Sequence, residues 1–415
     1  MTAPLTHTLA CGMTMLIEPI EGVKSAAMQW LVPAGYAHDP ADRSGRAAML
    51  EELLLRGAGD LGSREHADAL DRLGLSRSVS ASARFISVSG TMIGDRFPDA
   101  FPLLADLVLR PRLEHDAVEA VRAICQQSLK SLADDPQERA ILAARARHQP
   151  EPFNRSGYGD EAGLTAMTHD DLVGGWRERA HPVGSILAVA GAIDPEAVID
   201  QAERVTSSWS GDAAEAEATG TPPRGYAHEA DDSNQVQIVV AMDAPSEPED
   251  GSIAERTLSS VLSGGMSGRL FTKVREERGL CYSVHASYRP ERDRGTVTAY
   301  VGTTPERAQE ALDVLYAELE RLSTPEGAVT PDEFDRAVVG MKSRLVFGAE
   351  STAARAARLA GDFFALGRVR TLDELTARID GLTLEGLNGY LSGRSLGRVT
   401  VQTLGPSPLT PPAGV

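Results

Sequence analysis

Gly74-Leu75-Ser76-Arg77-Ser78-Val79-Ser80-Ala81-Ser82 recurs as Gly279-Leu280-Cys281-Tyr282-Ser283-Val284-His285-Ala286-Ser287, six of nine residues being identical at an offset of 205. After the glycine each copy alternates in the period-2 manner of a half-buried strand. Each follows a helical pattern (residues 66–73 and 270–278) and precedes a second alternating stretch (85–91 and 296–302). An amphipathic helix comes next in both places (97–109 and 305–322), and then another helix. One short match could be chance, but the same order of elements around both copies points to an internal duplication.

The stretch 79–82 running into 85–91 through Ala83-Arg84 has the form of a hairpin. Antiparallel pairing with helices on one face predicts α+β architecture, each domain being a mainly antiparallel sheet packed with helices. The apolar run 186–193 and its counterpart 398–403 suit buried strands, Thr168 has the place of a helix N-cap, and Gly279 that of a left-handed helix stop. Residues 210–225, SGDAAEAEATGTPPRG, carry no large apolar side chain and separate the halves as a linker. The expected domains are therefore 1–209 and 226–415, a size that one hydrophobic core can serve.

Composition narrows the function. The 415 residues are 42% hydrophobic and 24% charged, as in a folded protein. Forty-one Lys and Arg against 59 Asp and Glu leave a net charge of −18, which argues against nucleic acid and anionic membrane as partners. The first residues have neither a basic nor an apolar segment, so no signal peptide is expected. The longest nearly apolar stretch, 185–193, is about half the roughly 20 residues of a membrane span. Cys11, Cys125 and Cys281 lie too far apart for a disulfide framework, and a reducing, cytoplasmic setting follows.

Val32-Pro-Ala-Gly-Tyr-Ala-His-Asp-Pro40, the helical stretch 44–56, Leu107-Val-Leu-Arg-Pro111 and Ala133-Asp-Asp-Pro136 resemble the M16 metallopeptidases. So, more specifically, do Gly265-Met-Ser-Gly-Arg-Leu-Phe271 and Val274-Arg-Glu-Glu-Arg-Gly-Leu-Cys-Tyr-Ser283. This is the pitrilysin and mitochondrial processing peptidase group, in its short bacterial branch. The resemblance spans nearly the whole chain and implies a LuxS/MPP-like metallohydrolase fold of two homologous domains.

It also implies a zinc site of the form His-x-x-Glu-His. Positions i and i+4 share one helix face, so two imidazoles can ligate one ion while the Glu between them handles a proton. Here that stretch reads Ala48-Met49-Leu50-Glu51-Glu52, which keeps only Glu51, and the region expected to give a third acidic ligand reads Gln126-Gln127-Ser128. Adjacent helical carboxylates point about 100° apart and converge poorly on an ion. No two of the nine histidines are spaced i, i+3 or i, i+4, and His66 beside Glu65 reads as an exposed pair. No metal is expected in this chain. A site built from Glu51, Glu52 and a distant residue is the weaker possibility.

The second-domain motif is intact. In the family an Arg and a Tyr seven residues apart grip the substrate backbone, which carries over to Arg275 and Tyr282. A guanidinium is a fixed fork of donors for carbonyl oxygens, and a phenol can donate to an oxygen that gains charge. Gly264, Gly265 and Gly268 form a glycine loop which the resemblance links to substrate handling, although tight packing accounts for it about as well. Trp30, Trp176 and Trp209 are expected in the core or at a domain interface, and Cys281 as a buried, inert thiol.

The reading is a non-catalytic, substrate-binding subunit of a heterodimeric M16 zinc peptidase. Its partner would be a homologous chain bearing His-x-x-Glu-His and the zinc, and its ligand a peptide or unfolded segment. The alternative is a structural or peptide-binding pseudo-peptidase, homodimers included, with no part in proteolysis.

Overall fold

The computed structural model describes residues 3–415. The first half runs β1 (Leu5–Thr8), β2 (Thr14–Pro19), β3 (Ser25–Val32), α1 (Arg46–Leu54), a short β4–β5 pair (Gly57–Ala58, Leu61–Gly62) and α2 (Ser63–Arg72). It continues with β6 (Ser76–Ala81), β7 (Ile86–Ile93), α3 (Phe97–Leu109), α4 (Val118–Ser131), α5 (Pro136–His148), α6 (Glu161–Ala166), α7 (His169–Arg179), β8 (Ile186–Gly191) and α8 (Pro195–Thr206). The second half repeats this order: β9 (Gly225–Ala230), β10 (Val236–Ala244), α9 (Ser252–Ser263), a π-helical turn (Phe271–Glu276), β11 (Cys281–Pro290) and β12 (Gly295–Thr303). Then come α10 (Ala308–Arg321), α11 (Pro331–Glu350), α12 (Thr352–Leu366), α13 (Leu372–Asp380), α14 (Leu384–Ser392) and β13 (Thr400–Gly405).

The sheets correspond strand for strand apart from β1, which has no counterpart in the second. One has the order β1-β2-β8-β3-β7-β6 and the other β11-β12-β10-β13-β9. All pairings within them are antiparallel except one in each, β2 with β8 and β9 with β13. The expected hairpin is β6–β7, closed around Ala83-Arg84 by the Ser82 N–H donating to Phe85 O and the Phe85 N–H donating to Ser82 Oγ. Thr168 caps α7 in a reciprocal capping box with Asp171, and Gly279 holds φ +60°.

The chain divides into two compact units, but not at 209/226. One comprises the chain up to Ser131, Glu151–Thr219 and Gly348–Thr371; the other comprises Leu132–Pro150, Gly220–Phe347 and Leu372–Val415. The linear division expected from the linker is thus corrected by an exchange, since α5 belongs to the second unit and α12 to the first.

The exchange also corrects the expectation of helices on one face only. Leu187 and Val189 of β8 face the core built with α3, whereas Ala188 and Ala190 face Ala356, Leu359 and Ala360 of α12. In the second sheet Ile238, Val240 and Val401 join Leu258 of α9 and Leu312 and Leu315 of α10, while Val239, Tyr300 and Leu404 lie against Ala140 and Ala144 of α5. A strand covered on both sides reads as a continuous apolar run, which is why β8 is buried at every residue.

Both exchanged helices carry the same pattern from their N-caps, Asp135-x3-Arg139-Ala140-x3-Ala144 and Ser351-x3-Arg355-Ala356-x3-Ala360. The alanines, one turn apart, let the helix lie close on the sheet. The arginines reach matched acids. Arg355 donates to Glu18 of β2 at 2.7 Å, and Arg139 pairs with Glu229 of β9 and, at 2.6 Å, with Asp231. Glu18 and Glu229 hold the same register position, opposite Ala190 and Leu404 in the two parallel pairs.

Candidate functional site

Arg275 lies in the π-helical turn between α9 and β11, where backbone bonds such as Glu277 N–H to Thr272 O span five residues. The first unit shows where the extra width comes from. There the Leu75 N–H donates to Leu70 O, and the equivalent Leu280 N–H donates to Val274 O, one residue further back. Likewise the Gly74 N–H meets Asp71 O and the Gly279 N–H meets Arg275 O. The second half thus carries one inserted residue, and a π turn absorbs it without moving the buried Val274 anchor.

This register makes Arg275 the counterpart of Asp71 and Tyr282 the counterpart of Arg77. In the first unit the two side chains close on each other, Arg77 to Asp71 at 2.8 Å. In the second they stack. The Arg275 guanidinium carbon lies 4.8 Å from the Phe271 ring centre and 5.2 Å from that of Tyr282. Ring faces attract the cation but use none of its five N–H donors. Among the described residues neither Arg275 nor the Tyr282 hydroxyl has a hydrogen-bond partner. The first unit holds a satisfied ion pair where the second holds an oriented, unsatisfied set of donors.

Tyr282 sits at a β-bulge, since the register of edge strand β11 against β12 shifts between Cys281 and Ser283. A bulge re-aims a side chain and interrupts pairing; Tyr282 is 83% exposed. The neighbouring Cys281 thiol is pushed up to about 11 by burial, with Arg275 opposing, so it stays protonated and a poor nucleophile at neutral pH.

The glycines of the loop have structural reasons. Gly265 takes φ +124°, and a Cβ on Gly268 would stand 2.8 Å from Leu262 O. The loop's start is tied to the Tyr282 strand, because Ser263 Oγ accepts from the Ala286 N–H at 2.6 Å.

Glu51 makes the matching bond in the first unit, accepting from the Ala81 N–H of edge strand β6 at 2.7 Å. Burial, together with the Glu52 charge, raises its pKa against that bond. Cys125 of α4 lies near the pair, its thiol pushed up to about 11 by burial and by both carboxylates. Ala48 offers no ligand atom, Glu51 is engaged with the backbone, and Gln126 donates to Glu161 at 2.9 Å. Among the described residues no group of three or more His, Cys, Asp or Glu could hold a metal ion. These residues do not fit a zinc ion. His66 is not the exposed helix residue its charged neighbours suggest. It is 3% exposed and its Nε2 lies 3.0 Å from Leu103 O, because that side of α2 faces α3.

The duplicated α+β scaffold has known relatives. Residues 14–154 match the model of the insulinase family, peptidase family M16, and residues 166–341 that of the peptidase M16 inactive domain. The chain belongs to the M16 peptidase family. An uncharacterized zinc protease of Mycobacterium tuberculosis is 26% identical over 414 residues, covering 97% of this chain and 93% of that protein. One of Bacillus subtilis is 24% identical over 388 residues, covering 92% and 93%. Among solved structures, a peptidase M16 inactive domain from Pseudomonas fluorescens superposes with a TM-score of 0.87 at 20% identity, covering 99% of this chain and all 100% of that one. A protease from Helicobacter pylori gives 0.86 at 18% identity, covering 97% and 99%. Among the described residues no helix is long and apolar enough to cross a membrane.

Proposed function

We propose that this chain is the non-catalytic, substrate-binding member of a two-chain M16 peptidase, with a cytoplasmic setting that suits its three free thiols. The observation that carries the reading is the contrast between equivalent positions. Asp71 and Arg77 neutralise each other, whereas Arg275 and Tyr282 keep their donors open on an exposed edge. Arg275 would hold peptide carbonyl oxygens with the free edge of its guanidinium, and Tyr282 would add one hydroxyl donor beside it. Phe271 and Tyr282 fix the guanidinium plane, so little side-chain freedom is lost on binding. Zinc chemistry would come from a homologous partner carrying His-x-x-Glu-His.

The test uses a fluorescein-labelled, unstructured ten-residue peptide. The purified chain should bind it without cleaving it and should hold no stoichiometric zinc. Arg275→Ala and Tyr282→Phe should weaken binding, and should also lower peptidase activity once a zinc-bearing partner is added. Cleavage by the chain alone, or binding indifferent to both substitutions, overturns the reading. The second outcome, with self-association, is what the structural pseudo-peptidase alternative expects.

A further inference from the structure

The second unit has a small cavity that the Arg275–Tyr282 pair does not use. One wall is the end of α9 and the glycine loop, with Ser260, Ser267 and Gly268; the other is α11, with Arg336, Gly340 and Arg344. Its volume is about 30 Å³. Roughly 10–15 Å³ of such space holds one water, so the cavity suits one carboxylate or phosphoryl group and is too small for a ring or a nucleotide.

Its charge is unusual for a chain of net −18. Arg336, Gly340 and Arg344 lie at i, i+4 and i+8, a single helix stripe in which the glycine leaves a notch between two guanidiniums. A Cβ on Gly340 would stand 3.5 Å from Arg344 Nη1. Among the described residues neither arginine has an acidic partner; Arg344 donates to Ser260 Oγ at 2.7 Å. The one acid in the wall, Glu333, is already paired with Arg269. It takes two bonds from Arg269 at 2.7 Å and two from Thr330, through N–H at 2.9 Å and Oγ1 at 3.0 Å. Oε2 accepts three of these bonds and Oε1 one, so the charge is matched by the Arg269 guanidinium. The Ser267 hydroxyl is exposed and has no partner among the described residues. The cavity therefore offers two cations and a hydroxyl, while its one carboxylate is held by Arg269.

We propose that this notch binds a peptide carboxylate, either a chain terminus or an Asp or Glu side chain, through Arg336 and Arg344. Guanidinium–carboxylate pairing is directional and charge-assisted. The notch would thereby give the chain a preference for acidic or C-terminal segments, independent of how Arg275 and Tyr282 hold the backbone.

Fluorescence anisotropy with one uncharged ten-residue sequence tests it, the peptide being made with a free C-terminus, amidated, and amidated with one internal Glu. The first and third should bind about tenfold more tightly than the second. Arg336→Gln and Arg344→Gln should each remove most of that ratio, with circular dichroism unchanged, and inorganic phosphate should compete. A ratio near one, or a ratio that survives the double variant, overturns the proposal. Phosphate binding without any preference for the carboxylate peptides assigns the notch to the free anion and overturns it too. Tyr282→Phe should weaken all three peptides alike and keep the ratio, so this inference and the Arg275–Tyr282 reading fail separately.

Discussion

The two exchanged helices offer an internal experiment, because equivalent Arg–Glu pairs sit in different surroundings. The Arg355 and Glu18 side chains are 7% and 3% exposed, and those of Arg139 and Glu229 are 23% and 43% exposed. Burial lowers the Arg355 pKa to about 10, with the Arg358 charge adding to it, yet the guanidinium stays charged at neutral pH. Glu18→Gln keeps the shape and one acceptor but leaves that buried charge uncompensated. The cost of breaking a buried pair is about 3–5 kcal/mol, and the retained acceptor places it near the lower end. Glu229→Gln removes a half-solvated partner and should cost less than about 1 kcal/mol. All three tryptophans, Trp30, Trp176 and Trp209, lie in the first unit, so their fluorescence reports unfolding of the unit that contains Glu18. With a urea m-value of about 2.5 kcal/mol/M, Glu18→Gln should lower the fluorescence midpoint by about 1 M. Glu229→Gln should leave that midpoint nearly unmoved and appear only in circular dichroism. A Glu18→Gln shift below about 0.3 M, or one no larger than that of Glu229→Gln, refutes the argument that burial sets the strength of these clamps.

Three further outcomes are expected. Burial alone would raise the Glu333 pKa, but the Arg269 and Thr330 bonds outweigh it and hold the carboxyl at about 2 instead of 4.5. A depressed carboxylate stabilises above its unfolded pKa and loses that contribution as pH falls through the folded one. About 3 kcal/mol should therefore disappear between pH 4.5 and 2, and Glu333→Gln should flatten that slope in circular dichroism melts. Glu51→Ala strands the Ala81 N–H and should cost about 1 kcal/mol, while Glu51→Gln keeps an acceptor. Because the raised Glu51 pKa marks a disfavoured charge, Glu51→Gln should be neutral or stabilising above that pKa, as read by fluorescence midpoints at pH 8. Deleting one residue from the π turn, Arg275, should restore an ordinary α-helical turn and leave the midpoint by circular dichroism within about 1 kcal/mol; a larger loss would mean that the insertion is built into the core.

Local signals carried the fold a long way. Nine residues exposed the duplication, and Thr168, Gly279 and the β6–β7 hairpin stand where their chemistry requires. The helix exchange was not legible, because α5 and α12 meet their sheets through alanines, and a small side chain does not say which sheet it approaches. The repeated Arg-Ala-x3-Ala, offset by 216, was the available sign. The π turn was hidden for another reason. One inserted residue leaves the hydrophobic pattern readable as a helix, and the backbone bonds around Leu70 and Val274 reveal the shift. Arg275 and Tyr282 were legible as a motif, but their contrast with Asp71 and Arg77 needed the register.

The exchange also bears on how the protein is made. A ribosome has delivered every strand of the first sheet by Gly191, yet the helix that roofs its second face ends at Leu366, 175 residues later. At 5–20 residues per second that is a delay of roughly 10–35 s. Throughout it the nascent chain displays Leu16, Ala27, Ala188 and Ala190 to solvent, a transient client surface for any holdase at the exit tunnel.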